Sequence, residues 1–180
     1  MDNQKPKQSR AEINKRVWRA VDAAFENDVA TLEQVVLTRA QANWVTPNRQ
    51  GQSLLCCAVI KKSTEAIHWL LEKGADPNTL FEGKRRISPA DATDWPVYES
   101  PFAGAIRMRD VGVIAAFLDH GALLSLPHNY FLSFHGGANC GNLLNATGLA
   151  QEVTAFREAK QLAQSTPPGL QVSSATARRL

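Results

Sequence analysis

The chain has 180 residues, and 20 Lys and Arg against 17 Asp and Glu leave a formal net charge of +3. With 44% hydrophobic and 21% charged residues it has the composition of an ordinary folded domain, and so small a positive charge does not by itself imply nucleic acid. No run of roughly 18 apolar residues is present, so no membrane-spanning helix is expected. The polar start MDNQKPKQSRAEINKR has no apolar stretch behind it, so no secretory signal is expected either. Cys56, Cys57 and Cys140 show neither metal spacing nor a disulfide framework, which suits a reducing, cytoplasmic setting.

Residues 1–9 read as a flexible tail. Ser9 with Glu12 forms a capping-box pattern that opens a helix over 10–26, with Ile13, Val17, Ala20, Val21, Ala24 and Phe25 as its apolar stripe. Asn27-Asp28 makes a turn and Asp28 caps a second helix over 29–39, where Arg39 stands in place of a terminating Gly. Asn43–Gly51, with Pro47-Asn48 as a turn, links this pair to the next. Ser53 caps a helix to Lys61, Ser63 caps another over 64–73, and Gly74 ends it in the left-handed conformation. Neither helix is long enough to be stable alone.

The unit recurs. Ser100–Ser125 aligns with Ser53–Asn78 without a gap at an offset of 47 (100 − 53), with helices expected over 101–109 and 111–120. Pro101 takes the first helical position, where its missing N–H costs nothing. Leu70, Leu71, Ile114 and Leu118 hold matching places and are expected between layers. A weaker copy lies upstream, where Asn43 matches Asn78 at an offset of 35 (78 − 43). A degenerate one runs over 133–150, where Ala138 matches Ala105 at an offset of 33 (138 − 105). Thr147 is expected to cap a closing helix over 148–164, with Leu149, Val153, Phe156 and Ala159 on its apolar side, and 165–180 reads as a disordered tail.

These residues resemble those of an ankyrin-repeat protein, whose unit of about 33 residues carries a T-P-L-H-x-A signature. Here the signature appears as Ser53-Leu54-Leu55-Cys56-Cys57-Ala58 and Ser100-Pro101-Phe102-Ala103-Gly104-Ala105, and the repeat end as Leu70, Leu71, Gly74, Ala75, Asp76 and Asn78. Cys56, Ala103 and Gly136 replace the signature His, which makes the array divergent. The resemblance covers roughly half to two-thirds of the chain, as three to four repeats. It implies an all-α fold: an ankyrin-repeat α-solenoid of stacked helix-turn-helix units with projecting loops or hairpins. The array would span 10–150, as 10–44, 51–79, 100–125 and the degenerate 133–150.

The offset of 47 exceeds the usual period by about 14 residues, and the excess falls in an insertion at 79–99. Glu82-Gly83 is expected as a hairpin tip between Thr79–Phe81 and Arg85–Ile87, and Ser88-Pro89-Ala90-Asp91 as a helical turn. No phosphate loop, nucleophile elbow or H-E-x-x-H helix is present. His120, His128, His135 and Cys140 lack paired-ligand spacing, and Asp91 and Asp94 have no nucleophile or base nearby. No metal, cofactor or catalytic residue is assigned.

The resemblance implies a concave protein-binding groove lined by first helices and loops. Its carried-over residues are Arg49 and Gln50 on the first loop, Lys61 on the second repeat, and Arg107 and Arg109 on the third. Lys84, Arg85, Arg86, Trp95 and Tyr98 of the insertion join them, because Trp, Tyr and Arg dominate binding hot spots. Trp95 and Tyr98 serve equally well as pins holding the insertion down. Trp69 reads as structural, and Trp44 fits either role. The expected function is non-catalytic binding of another protein with an acidic surface, by a chain that is monomeric alone. An adaptor or regulator, an enzyme-neutralising inhibitor or immunity-type protein, and a secreted effector all fit. The alternative is an enzyme with its site in 79–99.

Overall fold

The computed structural model describes residues 9–47, 51–85, 95–126 and 139–165, with the main chain alone over 81–85 and 95–99. The expectations for 1–8, for the Ser88–Asp91 turn, for the register from Ser133 through Ala138 and for the tail beyond 165 lie outside these residues. The described chain is mostly helical. In order, it forms α1 (Arg10–Phe25), α2 (Val29–Val35), α3 (Arg39–Ala42), α4 (Leu54–Lys61), α5 (Thr64–Glu72), β1 (Phe81–Arg85), β2 (Trp95–Glu99), α6 (Pro101–Met108), α7 (Val111–Asp119), α8 (Cys140–Ala146) and α9 (Leu149–Ser165). No helix among the described residues is long and apolar enough to cross a membrane.

The helices pair as α1/α2, α4/α5, α6/α7 and α8/α9, and the pairs stack in chain order. One row holds α1, α4, α6 and α8; the other holds α2, α5, α7 and α9. A single apolar core runs between them, from Val17 of α1 to Val153 of α9. Leu70, Leu71 and Ile114 are buried as expected, but Leu118 is only partly so. Phe117 takes the inward place instead and stacks on Phe102, with ring centroids 5.7 Å apart. Both rings are fully buried, and stacked aromatics add about 0.5–1.5 kcal/mol beyond their area.

Capping residues set most helix starts. The Ser9 and Glu12 box is formed, and Asp28, Ser53, Ser100, Asp110 and Asn139 each accept a backbone N–H of the first turn. Ser63 differs from its expected role. Its hydroxyl donates to the Phe25 carbonyl (3.0 Å), and the free Ala66 N–H goes to Asn27 Oδ1 of the preceding layer (2.9 Å). Thr147 is likewise not an N-cap: it ends α8, and its hydroxyl donates to the Leu144 carbonyl (2.8 Å).

Second helices end by two routes. At Gly74 and Gly121 the chain turns left-handed (φ 88° and 84°), and Ala75 and Ala122 bond back to Leu70 and Phe117 at 2.9 Å, a Schellman closure. The expected helix over 29–39 instead stops at Val35, and α3 follows as a separate turn. Val35, Val36 and Thr38 are β-branched and weaken the helix there, while Gln41 Oε1 accepts the Leu37 and Thr38 N–H groups and Thr38 Oγ1 accepts the Gln41 N–H. Arg16 then supplies the Val35 carbonyl with a donor (2.9 Å).

Asn43 and Asn78 tie adjacent layers identically. The Asn43 amide donates to the Gly74 carbonyl and accepts the Asp76 N–H, and Asn78 does the same with Gly121 and Leu123, at 2.7–3.0 Å. The insertion departs from its expected form. Glu82 and Gly83 lie inside β1, which pairs antiparallel with β2, so no hairpin tip sits there. The run Trp95-Pro96-Val97-Tyr98-Glu99 supplies three good strand formers, and Pro96 is tolerated because both strands of a two-stranded ribbon are edges. The helix packed on α6 is Cys140–Ala146, whose cap Asn139 follows Ser100 by 39 residues (139 − 100). The long α9 packs on α7 and α8 as the second member of this fourth pair, and buries Leu149 and Val153 but leaves Phe156 exposed.

Candidate functional site

The row of first helices contains a cleft between α4 and α6, of about 300 Å³. It begins with backbone geometry. Ser53 and Ser100 start the two helices at matching levels, and Gly104 lets them approach: a Cβ there would fall 2.5 Å from Val59 Cγ1. Val59, Gly104 and Met108 line the inner part, Ile60 stands 51% exposed at its edge, and Lys62 and Arg107 supply its charge. Among the described residues no carboxylate lines it. Cys56 also borders the cleft, but it is only 2% exposed and burial pushes its thiol pKa far up, so it stays protonated. Burial likewise pushes Cys57 up to about 11. Burial raises Cys140 as well, with Ser100 3.6 Å away in partial opposition. These thiols are packing groups at neutral pH.

Lys62 and Arg109 share an unusual backbone. Each follows a first helix by one residue and adopts φ 58° and 59°. A left-handed conformation disfavours any residue with a Cβ. Asn27 holds the same turn in the first pair, where its side chain caps the next layer, and Gly148 holds it in the fourth. At Lys62 the side chain has no hydrogen-bond or ion-pair partner among the described residues. The Asp110 carboxylate accepts the Val113 N–H (3.1 Å) at the start of α7.

Of the residues singled out from sequence, Lys61, Arg107 and Arg109 fall together at the ends of α4 and α6. All three are exposed. Lys61 rides over the Phe25 ring at 5.7 Å, and Arg109 reaches the Thr147 carbonyl at 3.4 Å, so each also bridges neighbouring layers. Lys84 and Arg85 lie on β1 and Trp95 and Tyr98 on β2, with Arg85 opposite Trp95 and Lys84 opposite Pro96. Arg49, Gln50 and Arg86 lie outside the described residues. Trp44 and Trp69 both pack against the core, the first beneath Arg16 and the second beneath Lys73. Ile60, Lys62, Gly104 and Met108 escaped the sequence reading. Two signals pointed to them: a Gly inside α6, and cations at 62 and 109 that share the repeat offset of 47.

Among the described residues, no three His, Cys, Asp or Glu side chains are placed to hold a metal ion. His120 is half of a local contact, its Nδ1 2.9 Å from the Ala116 carbonyl. No protein-family model matches the chain, and no curated protein matches it.

Proposed function

We propose that the protein is a non-catalytic protein-interaction module of the ankyrin-repeat kind, which binds an acidic partner surface along its row of first helices. The observation that carries this reading is the gathering of Lys61, Lys62, Arg107 and Arg109 at the ends of two stacked helices. The ordered stacking of helix pairs and the repeated Asn43 and Asn78 bridges support the repeat assignment. The β1–β2 ribbon flanks this surface in the chain, since Glu99 directly precedes the Ser100 cap of α6, and it adds Lys84, Arg85, Trp95 and Tyr98 to the binding role.

The test is a stoichiometric partner recovered by affinity capture, followed by titration against salt. Charge reversal at Arg107 with Arg109, or at Arg85 with Arg86, is expected to weaken binding and flatten its salt dependence while Tm changes little. Affinity that survives both reversals would refute the electrostatic surface. Trp95→Ala, measured beside them, separates the two uses of the aromatic: joint loss of stability and affinity marks it as a pin for the ribbon.

A further inference from the structure

Helix α9 is tied to the array unevenly along its length. It has 17 residues against the 9 of α7, on which it packs. Leu149 and Val153, in its first two turns, are buried; beyond them no residue of α9 is buried, and only Arg157 is half-buried. The face of α7 that meets this part is small. A Cβ at Gly112 would stand 3.9 Å from Cζ of Phe156, and one helical side further along, Asp119 bonds to Arg157 and Lys160. Residues 112, 115, 116 and 119 share a side of the helix, so Ala115 and Ala116 fill the stretch between these two contacts. Such a face offers Phe156 little apolar surface, and the ring stays 44% exposed.

Asp119 breaks a local rule. It is the last residue of α7, where the partial negative charge of the helix end disfavours a carboxylate. Its compensation comes from far along the chain: Arg157 Nε donates to Oδ1 at 2.8 Å and Lys160 Nζ to Oδ2 at 3.2 Å. The two cations stand three residues apart and so project from one face of α9. Burial opposes ionisation of Asp119, yet the hydrogen bonds and charges of Arg157 and Lys160 hold its carboxyl below the ordinary 3.8. All three side chains are partly exposed, at 29–47%, and exposed ion pairs are weak and screened by salt.

We infer that Asp119 is a latch for the second half of α9: residues 156–165 open from the array as a unit while Leu149 and Val153 hold the helix start, and the latch yields to salt or to any anion that competes for Arg157 and Lys160. The last layer thereby has a charge-controlled end whose opening is separate from the unfolding of the repeats.

The experiment is amide hydrogen exchange of the full chain, followed residue by residue by NMR between about 20 and about 500 mM sodium chloride, a range that spans weak to strong screening. Protection of 157–164 is expected to fall about threefold with salt, as for an exposed ion-pair cluster, while that of 153–155 holds. Asp119→Asn should lower the protection of 157–164 by the same factor at low salt and abolish its salt response. Its Tm should stay nearly unchanged, because the substitution also relieves the misplaced charge at the end of α7. Arg157→Gln, on the other side of the contact, should loosen the same amides. The swap of Asp119→Lys with Arg157→Glu and Lys160→Glu should restore protection, which a merely structural role for Asp119 would not allow. Unchanged protection in Asp119→Asn, a uniform loss along all of α9, a salt response that persists without the carboxylate, or a swap that restores nothing would each overturn the latch.

Discussion

Helices α2 and α5 hold equivalent places in successive layers and end in different ways. Helix α5 runs to Glu72 and closes at Gly74 through its own backbone. Helix α2 has Arg39 at the matching position and stops at Val35, after which Gln41, Thr38 and Arg16 satisfy the groups that the Gly closure would have satisfied. The packing is nonetheless the same: Val35 and Val36 are buried like Leu70 and Leu71. The layer thus specifies where apolar side chains go, and the local chain chemistry decides which hydrogen bonds deliver them there.

The largest effect expected from this comparison is in the core. Leu71→Ala should cost roughly 2–5 kcal/mol, as a fully buried leucine. Val36→Ala should cost at least about 1.5 kcal/mol, from two buried carbons at roughly 0.8 kcal/mol each, although Val36 lies outside its helix. Denaturant unfolding of both variants measures this. A loss under about half a kcal/mol at Val36, typical of a surface site, would mean that the two layers are not equivalent.

A smaller effect concerns the helix ends themselves. Gly121→Ala meets no atom within 4 Å, so its cost of about 1 kcal/mol reflects the left-handed φ alone. Arg39→Gly tests the other end. Alignment with Gly74 makes it look like a repair of the repeat, but Arg39 opens α3, so Gly there should be neutral or cost up to about 1 kcal/mol. Thermal unfolding decides, and a stabilised Arg39→Gly would show that α2 can be extended into the Gly-closed form.

The sequence disclosed what depends on neighbours in the chain. Periodicity and the caps at Ser9, Asp28, Ser53 and Ser100 placed α1 and α4 through α7 within a residue or two, and Gly74 and Gly121 marked real ends. Hidden from it were the features whose partners are remote. Ser63 looks like an N-cap, but the acceptor for Ala66 is Asn27, 39 positions earlier. The strand pairing of Phe81 with Glu99 competes with a local turn at Glu82-Gly83 that is plausible on residue type alone. The cleft needed the approach of Gly104 to Val59, a contact between layers separated by an insertion of irregular length. The basic residues Lys61, Arg107 and Arg109 were legible because the repeat offset predicts which positions share a face; Ile60 and Met108 were not, because they read as ordinary core residues.

The smallest effect separates the two helices at their starts. Asp28 caps α2 through its carboxylate, whereas the first turn of α5 is served by the Asn27 amide, which does not titrate. Hydrogen bonding from Thr31, by side chain and then by backbone, outweighs desolvation and holds Asp28 below its ordinary pKa of 3.8. The folded pKa is therefore lower than the unfolded one. The cap's contribution is complete above the unfolded value and is lost as pH falls through the folded one. Between about pH 5 and pH 2 the Thr31 amide resonance should titrate with a midpoint below 3.8 while that of Ala66 stays fixed, provided far-UV circular dichroism remains native over the range. An Ala66 shift with the same midpoint would mean that the two helix starts respond as one unit, and a Thr31 midpoint at or above 3.8 would mean that the Asp28 carboxylate is not held by the helix it precedes.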